Sequence, residues 1–207
     1  MEVLKNRFII IIILVCTLNF AYSQDIVNMK DAFASSYTYE KNKEYSKAIA
    51  EILSVYNASS YEANIKLGWL YYKNNANITS AQYYSKAAVL MPYSVEALLG
   101  YVMPEKALGN YDIVIATYLA ILKIDPQNSY SNYNLGLIYY GKKDYKTAFT
   151  YLEKIANMYP FDYDITVLFA WTNFQLGKLR EAKVLFTKAL LITPGDASAT
   201  EGLSLIK

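Results

Sequence analysis

Bulky and small apolar positions return along this chain with a fixed step. Four prolines, Pro92, Pro126, Pro160 and Pro194, follow one another at intervals of 34 (126−92, 160−126, 194−160). Eight residues before each stand Tyr84, Tyr118, Leu152 and Phe186, and five before each stand Ala87, Ile121, Ile155 and Ala189. Twelve before come Ser80, Val114, Ala148 and Ala182. Twenty-five before come Leu67, Tyr101, Leu135 and Phe169, followed at once by Gly68, Val102, Gly136 and Ala170. Self-similarity at such a period marks a stacked repeat. Apolar positions three and four apart predict helices. The small positions fall where helices must approach closely, so a bulky side chain at Ala148 or Ala182 is expected to overpack a crossing.

A first period without its proline is visible in NKEYSKAIAEILSVY at 42–56, where Tyr45, Ala48 and Ile52 keep the phase of Tyr145, Ala148 and Leu152 with about two residues missing. After Pro194, Asp196 or Ser198 can cap a last amphipathic helix running through Leu203 and Ile206. Pro104 breaks the pattern about ten residues into a first helix, where a kink or an early end is expected.

KLGWLYY at 66–72 and NLGLIYY at 134–140, with KDYKTAFTYLEKIANMYP at 143–160 and GKLREAKVLFTKALLITP at 177–194, resemble the two helices of the tetratricopeptide repeat. The resemblance implies an all-α, right-handed superhelical solenoid of antiparallel helix pairs. Five pairs are expected, over about 29–60, 61–94, 95–128, 129–162 and 163–196, with a capping helix over 197–207. No pair alone buries its apolar face, so neighbours stabilise one another along the stack. In that family the first helices line a concave groove that holds a protein or peptide partner. By position the groove set here is Phe33, Tyr37, Trp69, Tyr72, Tyr130, Tyr133, Tyr140, Trp171 and Phe174. Aromatic side chains give large contact area at low entropic cost. The family's grip on a carboxylate uses asparagine at positions that here hold Trp69, Met103, Leu137 and Trp171, which argues against a carboxylate clamp and for a peptide with apolar anchors.

Residues 1–23 read as an export signal. Lys5 and Arg7 precede the apolar run Phe8–Leu18, and Ala21 and Ser23 supply a small-residue cleavage site before Gln24, leaving 24–207 as the mature chain. The expected destination is periplasmic, envelope-associated or secreted, with membrane contact only if the signal stays uncleaved. Val15 is a poor fit before Cys16 for lipidation. Composition then narrows the chemistry. The chain of 207 residues has no histidine, and its single cysteine lies inside the signal. His/Cys metal sites, thiol nucleophiles and histidine acid–base chemistry are thereby removed, so no metal, no cofactor and no enzyme activity are expected. A net charge of +2 gives no basic excess for nucleic acid. Asn57-Ala58-Ser59 and Asn77-Ile78-Thr79 match the glycosylation triplet, a weak signal. The expected function is an exported scaffold or adaptor. The alternative is a small-ligand or glycan-binding protein that stacks sugars on Trp69, Tyr72, Trp171 and Phe174. Homo-oligomerisation through an exposed end of the stack stays open.

Overall fold

A computed structural model describes residues 27–206. Among them every regular element is a helix. Helix α1 covers 27–41. It is followed by α2 (Tyr45–Ser54), α3 (Tyr61–Lys73), α4 (Asn77–Leu90), α5 (Val95–Ala107), α6 (Tyr111–Ile124), α7 (Ser129–Gly141), α8 (Tyr145–Met158), α9 (Tyr163–Gln175), α10 (Leu179–Ile192) and α11 (Ala197–Ser204). The export signal expected at 1–23 lies outside the described residues. None of the described helices is long and apolar enough to cross a membrane.

The period is written into the helix ends. Ser60, Ser94, Asn128, Asp162 and Asp196 recur with the same step as the prolines, and each side-chain oxygen accepts the amide three positions on, from Ala63, Ala97, Ser131, Ile165 and Ala199. These caps satisfy donors that a helix start leaves bare. The turns inside the pairs repeat as well. Lys43, Asn75, Gly109, Lys143 and Gly177 take positive φ. The amide after each bonds back to the preceding helix, Glu44 to Tyr39, Ala76 to Tyr71, Asn110 to Glu105, Asp144 to Tyr139 and Lys178 to Asn173. That is the left-handed helix ending, which glycine adopts at least cost.

The described residues divide into two compact units, one ending at residue 110 and the other beginning at residue 111. In the first, α2 packs on α3, α3 on α4, and α4 on α5. Its core gathers Ala48, Ile49 and Ile52 with Ala63, Leu67 and Leu70, and Phe33, Tyr39 and Trp69 lean on it. Tyr84 of α4 is buried between two glycines. A Cβ on Gly68 of α3 would lie 2.8 Å from its ring, and one on Gly100 of α5 only 2.1 Å away. In the second unit α7 packs on α8, α8 on α9, α9 on α10, and α10 on α11. The ring there belongs to Phe186, which meets Gly202 in the same way, while the smaller Leu152 faces Gly136. Ala148 and Ala182, the expected close-approach positions, are fully buried.

The early helix end expected at Pro104 does not occur. Helix α5 has 13 residues, the same as α3, α7 and α9, and carries buried Pro104 inside it. Pro104 has no N–H to offer the carbonyl of Gly100, but its own carbonyl still receives the amide of Leu108 at 2.9 Å. The helix stops where the left-handed Gly109 ends it, as in the other pairs.

Asp196 ties the last helix down. Its carboxyl is held below the ordinary aspartate value, first by the backbone amide of Ala199 and then by the Tyr163 hydroxyl. A lowered folded value contributes stability above the unfolded value and loses it as pH falls through the folded one. The thermal midpoint should therefore drop below about pH 4, the aspartate range. Asp196→Asn, which keeps a capping oxygen, should flatten that drop. Thermal melts at pH 3–7 read both slopes, and equal slopes would remove Asp196 as a source.

Candidate functional site

The sequence-derived aromatic set falls into two groups, one in each unit. In the first unit, Phe33 and Tyr37 of α1 and Trp69 of α3 line one cleft of about 350 Å³ together with Glu40, Tyr61, Glu62, Ile65, Lys66 and Glu96. These three aromatic positions meet because α1 and α3 pack side by side, with Phe33 and Trp69 half-buried against the core and Tyr37 exposed. Tyr72 lies one helical turn from Trp69, with ring centroids 6.3 Å apart.

The floor of this cleft is polar. Lys66 is buried and forms an ion pair with Glu40. The other Glu40 oxygen accepts the indole N–H of Trp69 at 2.5 Å. Burial pushes the Glu40 carboxyl upward. Hydrogen bonds from Lys66 and Trp69 and the charge of Lys66 outweigh that and hold it below the ordinary value. The Lys66 ammonium lies 3.4 Å from the centroid of the Tyr37 ring, a cation–π contact. Tyr61 shares a hydrogen bond with Ser94 at 2.7 Å and donates to Glu96 at 3.0 Å. Burial, and beyond it Glu96, pushes the Tyr61 phenol up, against the pull of Ser94. Glu40 and Lys66 cancel, Glu62 and Glu96 line the mouth, and the Lys73 ammonium lies 5.3 Å from the centroid of the Trp69 ring.

Glu40, Lys66, Tyr61 and Glu96 were not among the residues singled out from sequence. Lys66 could have been. It falls one period before Gly100 and four periods before Gly202, a position that the fold turns inward, and a lysine there needs an anion.

In the second unit Tyr130 is exposed on α7, with its ring edge-on to Tyr118 at 6.2 Å. Tyr133 and Tyr140 are half-buried against Leu152, Ile155, Ile165 and Leu168. Burial raises the Tyr133 phenol first, and Asp164 and Asp162 add to the shift. Trp171 and Phe174 of α9 are half-buried around Phe186, with Trp171 4.9 Å from Phe186 and 5.6 Å from Phe174. The Trp171 indole N–H donates to Ser198 of α11 at 2.8 Å. Much of this second group therefore packs α9 against α10 and α11, and Tyr130 is its most open member.

Helix pairs that return with the step of the prolines, capped alike from α3 onward and turned alike throughout, decide the architecture. The fold is that of the tetratricopeptide repeat proteins. Residues 117–150 match the family model described as tetratricopeptide repeat. Among solved structures, a tetratricopeptide repeat protein from Parabacteroides merdae superposes with a TM-score of 0.74 at 17% identity, over 86% of this chain and 72% of that one. The MamA protein superposes with a TM-score of 0.70 at 19% identity, over 80% of this chain and 91% of its own. Among curated proteins, the RNA polymerase-associated protein CTR9 of Caenorhabditis elegans is 26% identical over 148 residues. That match takes in 65% of this chain and 13% of the length of CTR9. Tetratricopeptide folds are typical of interaction modules that act by binding, not by catalysis.

Proposed function

We propose that this tetratricopeptide chain is an exported scaffold or adaptor, holding a protein or peptide partner along the aromatic faces of its first helices. The observation that carries the reading is the cleft of α1 and α3, where Phe33, Tyr37 and Trp69 surround a space of about 350 Å³. Apolar rings above a satisfied polar floor are what an extended peptide needs for anchoring and orientation. The association with RNA polymerase carried in the name of CTR9 supports a binding role in kind, without transferring that partner. Export rests on the charged, apolar and small-residue layout of residues 1–23. The sugar-stacking alternative is weaker. Trp171 already spends its ring on Phe174 and Phe186 and its N–H on Ser198, leaving little free face for a sugar.

Photo-crosslinking in the native host tests the reading. A crosslinking residue replaces Tyr37 or Tyr130, which are 59% and 51% exposed, and as control Val89 on α4, 75% exposed. A discrete adduct is expected from Tyr37 and Tyr130 and not from Val89. Equal capture from all three, or none from the first two, would count the groove out.

A further inference from the structure

The strongest unassigned feature is a cleft of about 510 Å³ in the second unit, between α8, α9 and α10. Its walls are Phe149 of α8 and Phe169 of α9, with ring centroids 5.1 Å apart, and Val184 and Leu185 of α10. Asn173 lines the bottom, its amide already donated to the carbonyl of Phe169 at 2.8 Å. None of these residues belongs to the aromatic groove described above.

The repeat itself shows what fills this space elsewhere. Tyr139 stands one period before Asn173, and Tyr151 one period before Leu185. Those two rings stack at 5.8 Å with 15° between their planes. In the first unit Tyr71 and Tyr83, each three periods before the same two positions, stack at 5.4 Å and 5°. Twice, then, stacked phenol rings from one repeat bridge its first and second helices. At α9 and α10 the same two positions carry a short amide and an aliphatic side chain, and the cleft stands open.

We propose that this cleft receives an aromatic side chain from a protein partner, in the place that stacked tyrosines occupy in two other repeats. The charge around it selects an uncharged ring. Lys178 and Arg180 on the rim are balanced by Glu153 and Glu181, so no net field draws an ion. The Lys178 ammonium is also already engaged, 3.6 Å from the centroid of Phe149. An entering ring would meet Phe149 and Phe169 at its faces or edges and Val184 and Leu185 on the other side, all apolar contacts.

The first unit holds an internal control. Its cleft beside α5 is lined by Tyr101 and Glu105, which stand two periods before Phe169 and Asn173. There the bottom is a buried carboxylate that accepts a hydrogen bond from Asn110 at 2.7 Å. A neutral ring there would lie against that carboxylate and bring it no donor. The site is therefore specific to α9 and α10.

The test is a titration of the methyl-labelled protein with p-cresol, which is uncharged at neutral pH. Saturable upfield ring-current shifts are expected at the methyls of Val184 and Leu185. Leu108, in the cleft of the first unit, should stay in place. Asn173→Tyr with Leu185→Tyr restores the missing pair and should weaken p-cresol at least tenfold. Val184 is 63% exposed, so Val184→Trp roofs the cleft without touching the core and should weaken p-cresol likewise. The proposal fails if Val184 and Leu185 do not shift, if Leu108 shifts equally, or if both variants bind as well as the parent. It also fails if the Val184 and Leu185 signals move with protein concentration alone, since the occupant would then be a second copy of the chain.

Discussion

Replacing Phe186 by alanine should cost about 3–5 kcal/mol in chemical denaturation, among the largest losses available to a single side chain here. Phe186 is fully buried in the middle of α10. Its fully buried neighbours, Ala170, Ala182, Ala189 and Ala199, are all small, and Trp171, the large ring 4.9 Å away, is held in place by its N–H bond to Ser198. A cavity that cannot close carries the full packing penalty in addition to the lost transfer energy. The loss should also be local in a telling way. Helix α11 has eight residues, well below the length at which an isolated helix is stable in water. Gly202 lies so close to Phe186 that an added Cβ would come within 2.3 Å of the ring. Removing the ring takes away the surface on which α11 rests. Hydrogen exchange should then show amides such as Thr200 and Leu205 opening before those of α7 and α8, whose contact runs through Leu152 and Gly136. A loss below about 1 kcal/mol, or uniform opening of α7 to α11, would mean that Phe186 does not anchor the end of the unit.

The parts of this architecture that were legible in the sequence share one property: each recurs as a proline or a mostly small residue at a single phase. The evenly spaced prolines, the alanines at 148 and 182, and the small residues at 68, 136 and 170 each answer one steric requirement, so their identity is readable without coordinates. Asp196 was readable as a cap, beside Ser198, and the period carries that reading back to Asp162. Ser60, Ser94 and Asn128 complete that series, but serine and asparagine are common enough that the period is needed to pick them out. Gly100 and Gly202 were missed because their smallness answers a ring in the preceding repeat, whereas Gly68 and Gly136 answer a partner inside their own. The ring that Gly100 or Gly202 faces, Tyr84 or Phe186, is carried by the helix just before its own in the chain. The clefts were less legible still. A groove of aromatic side chains can be placed by phase, but phase does not say which rings are spent on packing. Trp171 and Trp69 share a phase, yet one is bound to Ser198 and the other to Glu40. Pro104 shows the converse. Read alone it is a breaker, whereas the packing around α5 holds the helix at full length.

The second large effect sits in the first unit and tests that size-matching directly. Tyr84→Ala should cost about 3–5 kcal/mol, as for other buried aromatic side chains. Gly100→Ala, by contrast, adds one methyl at a point 2.1 Å from the Tyr84 ring, closer than real atoms approach. The neighbour that must yield is a buried ring flanked on its other side by Gly68, and it has no free direction to move. Overpacking of this kind costs about 1–3 kcal/mol. If the two residues are matched in size, the costs cannot add. With the ring gone, the methyl at position 100 fills vacant space, so Gly100→Ala should be close to neutral in the Tyr84→Ala background. The resulting coupling of about 1–3 kcal/mol is read from a double-mutant cycle in urea. Alkaline titration supplies an independent view. Burial, and after it Glu96, raises the Tyr84 phenol above its ordinary value. A raised folded value gives stability that is present below the unfolded value and lost as pH climbs through the folded one. The parent should therefore weaken above about pH 10, the range of a free tyrosine, and Tyr84→Phe should weaken less steeply. Additive costs in the cycle would mean that Gly100 is small for another reason, such as relief for the carbonyl that Pro104 leaves without an amide.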